Sequence, residues 1–91
     1  MHGEYKTPAG KLVVVDFGVE DDRLSNVVVS GDFFLEPPEA LADIVRALEG
    51  ARTELGEEEL AGRIRGTLGE GVEMVGFSPE AIARATVRGL G

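Results

Sequence analysis

The sequence predicts an α+β fold: a small antiparallel sheet, made of a hairpin and short strands, covered by about three helices. Two patterns and their order predict it. Apolar residues alternate with period two over the first third of the chain, and they recur at helical spacing after Pro37. The two patterns never interleave as βαβ units, so strands and helices segregate. At 91 residues the chain has room for one core, and residues 1–91 are read as a single domain.

The first strand is expected over Lys11–Glu20, where Val13, Val15, Phe17 and Val19 share one parity and Asp16, Gly18 and Glu20 the other. Glu20-Asp21-Asp22-Arg23 is a polar turn, and Leu24–Ser30 resumes the β-branched pattern, which completes a hairpin. Gly31-Asp32 breaks the run before Phe33-Phe34-Leu35, the densest apolar patch in the chain. Pro37-Pro38 ends any sheet and suits the first turn of a helix. That helix carries Leu41, Ile44, Val45 and Leu48 as one stripe, places Glu39 and Asp43 early, and stops at Gly50.

A second helix is expected from about Glu57 to Leu68, on the repeat of Leu60, Ile64 and Leu68 and a Glu59–Arg63 pair at i, i+4. Gly62 and Gly66 weaken it, so packing rather than propensity must hold it. Gly69-Glu70-Gly71 is a loop and Val72–Val75 a short extended segment. Ser78-Pro79-Glu80 then opens a third helix with a serine cap, proline in the first turn and an early acid, presenting Ile82, Ala83, Thr86, Val87 and Leu90 on one side.

Seventeen acids against nine bases give a net charge of −8, which argues against nucleic acid and against an acidic membrane surface as partners. The longest apolar run, Leu12–Val15, is far short of a membrane span, and the start of the chain has no signal-peptide pattern. There is no cysteine, which removes disulfides and thiolate chemistry and points to the cytoplasm.

Nothing in the sequence assembles a reaction, and neither catalytic nor metal-binding residues are assigned. His2, the only histidine, is expected to fray with the terminus. Glu57-Glu58-Glu59 point in different directions on a helix and cannot converge on one ion, and Asp21-Asp22 lacks calcium-loop spacing. The glycines have no phosphate-loop spacing. Arg46, Arg52, Arg63, Arg65, Arg84 and Arg88 alternate with acids and are read as solvated helix faces.

Two segments exceed what composition explains. Residues 3–11, GEYKTPAGK, hold both lysines of the chain, Lys6 and Lys11, beside Tyr5 and a Pro-Ala-Gly turn. Residues 30–41 hold Asp32, Phe33 and Phe34. Adjacent aromatics on an extended chain point to opposite faces, so one of the two enters the core and the other is a candidate for a partner surface.

The ordered set Gly3-Glu4-Tyr5-Lys6, Pro8-Ala9-Gly10-Lys11-Leu12-Val13, the acidic hairpin, Ser30-Gly31-Asp32-Phe33-Phe34, Pro37-Pro38-Glu39-Ala40-Leu41, Ala47-Leu48-Glu49-Gly50 and Gly76-Phe77-Ser78-Pro79-Glu80 resembles the C-terminal accessory domain of lipoate–protein ligases. The similarity runs over nearly the whole chain. It implies a non-catalytic partner: in that family a large domain binds lipoate and ATP, forms lipoyl-adenylate, and transfers lipoyl to a lysine of an acceptor domain. The large domain is not in this sequence, which is therefore similar to the split version, with the accessory domain as a separate small subunit. ATP, Mg and lipoate are then expected at the catalytic partner and none bound by this chain alone.

On that resemblance Tyr5, Asp32, Phe33 and Phe34 are interface candidates, and Lys6 and Lys11 are candidates for proximity to the partner's nucleotide site. The adenylation lysine of the family belongs to the large domain, so neither lysine inherits that role. Lipoyl acceptor domains would be met indirectly. A homodimer of the isolated chain is an alternative assembly, since a surface made for a missing partner can pair with itself. The competing reading is a stand-alone acidic protein-interaction domain unrelated to ligation.

Overall fold

The computed structural model describes residues 1–91. In chain order the elements are β1 (His2–Lys6), β2 (Leu12–Glu20), β3 (Arg23–Gly31), β4 (Phe34–Glu36), α1 (Ala40–Leu48), α2 (Glu57–Thr67), β5 (Glu73–Val75) and α3 (Pro79–Leu90). The architecture is α+β, as the segregated patterns predict. Strands β1, β2 and β3 form an antiparallel sheet in that order, and β4 pairs with β5 in a separate two-stranded ribbon.

The hairpin is as expected, and its turn has a specific chemistry. Glu20 pairs with Arg23, leaving Asp21 and Asp22 as a two-residue loop with φ of 52° and 60°. Two successive positive φ values match the right-handed twist of the flanking strands, and Asp tolerates them better than most side chains. Farther along, the register shifts between Asp16 and Gly18, with Asn26 of β3 at φ 49°. The extra residue is a β-bulge, which is why Leu24 lies on the same buried face as Val27 and Val29 despite the wrong parity. Val19 keeps the parity of Phe17 but lies near the hairpin end and is exposed.

The structure adds a strand ahead of the expected hairpin. His2–Lys6 pairs antiparallel with Leu12–Asp16 through the Thr7–Gly10 turn. His2 is consequently not frayed: its Nδ1 lies 2.5 Å from Asp16 and its Nε2 2.6 Å from Glu4. These carboxylates hold the imidazole's pKa above its ordinary value, the Glu4 hydrogen bond first and the Asp16 bond second.

The three helices cover one face of the sheet. Val13, Val15 and Phe17 of β2 and Val27 and Val29 of β3 meet Ile44 and Leu48 of α1, Leu60 and Ile64 of α2, and Ala81, Ile82 and Ala85 of α3 in one core. Alanines on α3 bring it close to the sheet, closest at Gly3 of β1. Thr86, fully buried, returns its hydroxyl hydrogen to the Ile82 carbonyl at 2.9 Å.

Helix α1 begins later than Pro37. Each residue before a proline is driven out of the α region. The Pro37-Pro38 pair therefore makes turns, with Ala40 and Leu41 N–H donating to the Pro37 and Pro38 carbonyls, and the helix starts at Ala40. The anticipated Glu59–Arg63 pair is not formed. Glu59 instead accepts from the Gly56 N–H and closes the start of α2, while Arg63 donates to the Ala47 carbonyl and ties α2 to α1. Ser78 caps α3 as expected, accepting from the Ala81 N–H at 3.1 Å.

Candidate functional site

The segments singled out by sequence come together in two neighbouring surfaces, joined by one aromatic stack. Phe33 lies half-buried on Phe77, with ring centroids 4.0 Å apart and planes 17° from parallel. Phe34, the next residue, turns away and is 55% exposed. This is the strand geometry at work: consecutive side chains leave opposite faces.

The first surface is a cavity of about 490 Å³ between the β1–β2 turn and the start of α3. Thr7, Pro8 and Ala9 form one wall; Gly76, Phe77, Ser78 and Ala81 form the other; Tyr5, Glu57, Glu80 and Arg84 complete it. Thr7 fixes the two walls, because its hydroxyl donates to the Gly76 carbonyl at 2.8 Å. Tyr5 projects from β1 toward α3, where the guanidinium carbons of Arg84 and Arg88 lie 5.1 and 5.0 Å from its ring centroid. Both are cation–π contacts. Arg84 also donates Nε to Glu57 at 2.8 Å, a bond that raises its already high pKa. The start of α2, the middle of α3 and β1 are thus linked through one side chain.

Arg84 is exposed, as expected of a solvated helix face, and is also a tether, and Arg88 reaches the Glu4 carbonyl at 3.3 Å. Arg65 pairs with Glu80. The sequence reading missed Thr7, Glu57 and Arg84 as cavity residues. Only tertiary structure unites the strand turn, the α2 start and α3.

The second surface is the β4–β5 ribbon. Phe34 faces Val75, Leu35 faces Met74 and Glu36 faces Glu73. Leu35 and Met74 pack on the core, leaving Phe34 and Val75 outside.

The remaining candidates are dispersed. Lys6 is exposed on the outer sheet face opposite Leu12. Lys11 is half-buried; its stem crosses Gly76, so a Cβ on that glycine would lie 2.5 Å from Lys11 Cγ. Neither lysine lines the cavity. Asp32 is exposed, and its N–H donates to the Leu12 carbonyl at 2.9 Å, fixing the entry to β4.

The Ser78 hydroxyl is engaged as a helix cap, and the one imidazole lies on the outer sheet face between two carboxylates. No three His, Asp or Glu side chains converge as a metal-ligand set. No helix is long and apolar enough to cross a membrane.

The fold and these surfaces define a small α+β domain of two layers, a sheet backed by helices, with a ribbon and a cavity open at one end. No family model and no curated protein matches the sequence. Among solved structures the chain is similar to one from an archaeal lipoylation system, a bi-partite lipoate protein ligase and its E2 lipoyl domain from Thermoplasma acidophilum. The TM-score is 0.71 at 26% identity, over 94% of this chain and 97% of that one. The likeness spans both chains nearly end to end, so it is to a domain-sized chain of a ligase system, in agreement with the resemblance carried by the ordered motifs.

Proposed function

We propose that this chain is the non-catalytic accessory subunit of a split, cytoplasmic lipoate–protein ligase. It acts with a large catalytic subunit in the activation half-reaction. There the carboxylate of lipoate attacks the α-phosphorus of ATP, pyrophosphate leaves, and lipoyl-adenylate forms. A lysine of an acceptor domain then attacks the acyl carbon and releases AMP. The observation that carries this reading is the end-to-end likeness to a chain of a bi-partite ligase system.

The physical role is to complete a site that lies on the partner. A subunit packed beside it orders loops around ATP, Mg and lipoate and keeps water from the mixed anhydride. In this reading Phe34 anchors the contact, Tyr5, Asp32 and Phe33 support the interface, and Lys6 and Lys11 lie toward the partner's nucleotide pocket. A stable association of this kind buries more than about 1,000 Å² in total.

The test is lipoate-dependent ATP–pyrophosphate exchange by the catalytic chain of the same genome, with and without this protein. Exchange should rise to a plateau at a stoichiometric ratio. A catalytic chain equally active alone would refute the reading and favour a stand-alone interaction domain.

A further inference from the structure

The register of the β4–β5 ribbon places two carboxylates directly across from each other, Glu36 and Glu73. Cross-strand partners and i, i+2 neighbours share one face, so Phe34, Val75, Glu36 and Glu73 form a single exposed patch. Like charges in that position destabilise the ladder. The chain does nothing to relieve them: its ion pairs engage Glu4, Asp16, Asp43, Glu54, Glu57 and Glu80, and none reaches Glu36 or Glu73.

The imbalance extends beyond the pair. There is no Lys or Arg between Arg23 and Arg46, nor between Arg65 and Arg84, and the ribbon is built from these two stretches. Asp32, Glu39 and Glu70, which adjoin its strands, are also without an ion pair. Lys11 packs across Gly76, beyond Val75, at the end of the ribbon away from the two glutamates.

We propose that this face docks a segment of the ligase's catalytic subunit that carries a lysine or arginine beside an apolar side chain. The cation sits between Glu36 and Glu73, and the apolar group covers Phe34 and Val75. The inference rests on the accessory-subunit reading and adds the chemistry of the contact. Charge complementarity selects the occupant: a cation converts a repelling pair into a seat, and the apolar pair beside it supplies buried area. The two pairs lie two strand residues apart, about 7 Å. The partner's cation and apolar group must therefore be two residues apart on a strand or one turn apart on a helix.

The experiment uses both full chains. Affinity is measured at low and high salt for the wild type and for E36Q/E73Q, together with the melting temperature of each accessory chain alone and exchange at saturating accessory chain. In the double variant affinity should fall about tenfold at low salt, with a flatter salt dependence. The isolated double variant should melt higher than wild type, since the repulsion is gone. Those opposite signs separate an interface role from a folding defect. Unchanged affinity and salt dependence, with wild-type stimulation of exchange intact, overturns this docking surface and leaves the accessory function standing. No association or stimulation by the wild type overturns both.

Discussion

Gly3 is the position where adding one methyl group should do most damage. A Cβ there would run into the Ala85 carbonyl oxygen and lie 2.7 Å from the Gly89 nitrogen and 2.9 Å from the Ala85 carbonyl carbon. All three are backbone atoms of α3 and cannot rotate away. Carbon contacts are comfortable at about 3.5 Å or more, so α3 must move off β1 by about an ångström. Overpacking of a rigid neighbour costs about 3 kcal/mol, and the stiffer unfolded chain returns about 0.5–1 kcal/mol. The balance, about 2 kcal/mol, lowers the melting temperature of a domain this size by about 8–16 °C. Thermal melting of G3A by circular dichroism, with a urea titration to check the slope, measures it. A melting temperature within about 3 °C of wild type, at unchanged slope, would refute the close β1–α3 approach.

The reverse substitution effect is expected on α2, where a Cβ on Gly62 or Gly66 meets nothing within 4 Å. G62A and G66A should each stabilise the protein by about 0.5–1 kcal/mol in urea unfolding. Removing the α3 cap with S78A should cost about 1 kcal/mol in the same assay, since Ser78 Oγ accepts from the Ala81 N–H at 3.1 Å. His2 should titrate above the ordinary histidine pKa in an NMR pH series, and D16N should lower its midpoint. Because its folded pKa is raised, its contribution is fully present below the unfolded-state pKa and is lost as pH rises through the folded value. Stability of the wild type should therefore fall across that window relative to an H2Q variant.

The hairpin was legible because Val13, Val15 and Phe17 keep one parity and the β-branched pattern resumes after the Glu20–Arg23 turn, and α3 because Ser78-Pro79-Glu80 combines a cap, a first-turn proline and an early acid. Strand β1 was hidden for a physical reason. Its inward positions are Gly3 and Tyr5, and a glycine carries no hydropathy signal even where it makes the tightest approach in the sheet. The bulge at Asn26 could not be read from Leu24 and Val27, whose spacing only makes sense once β2 is alongside. The divergence of Phe33 and Phe34 followed from strand parity alone. The cavity did not, because Tyr5, Glu57 and Arg84 meet only after three distant segments have packed, and Arg84 looked like one more charge on a wet helix.

The ribbon has a consequence for order of events. Its two strands enclose everything from Pro37 to Val72, including both α1 and α2, so it can zip only after that long loop has closed. Three residues per strand give it few rungs. With so few rungs across so long a loop it should open before the three-stranded sheet, and its amides should exchange with solvent faster than those of β2. An occupant on this face would hold the ribbon closed and should register first as slowed exchange at Phe34–Glu36 and Glu73–Val75, ahead of any change in the sheet.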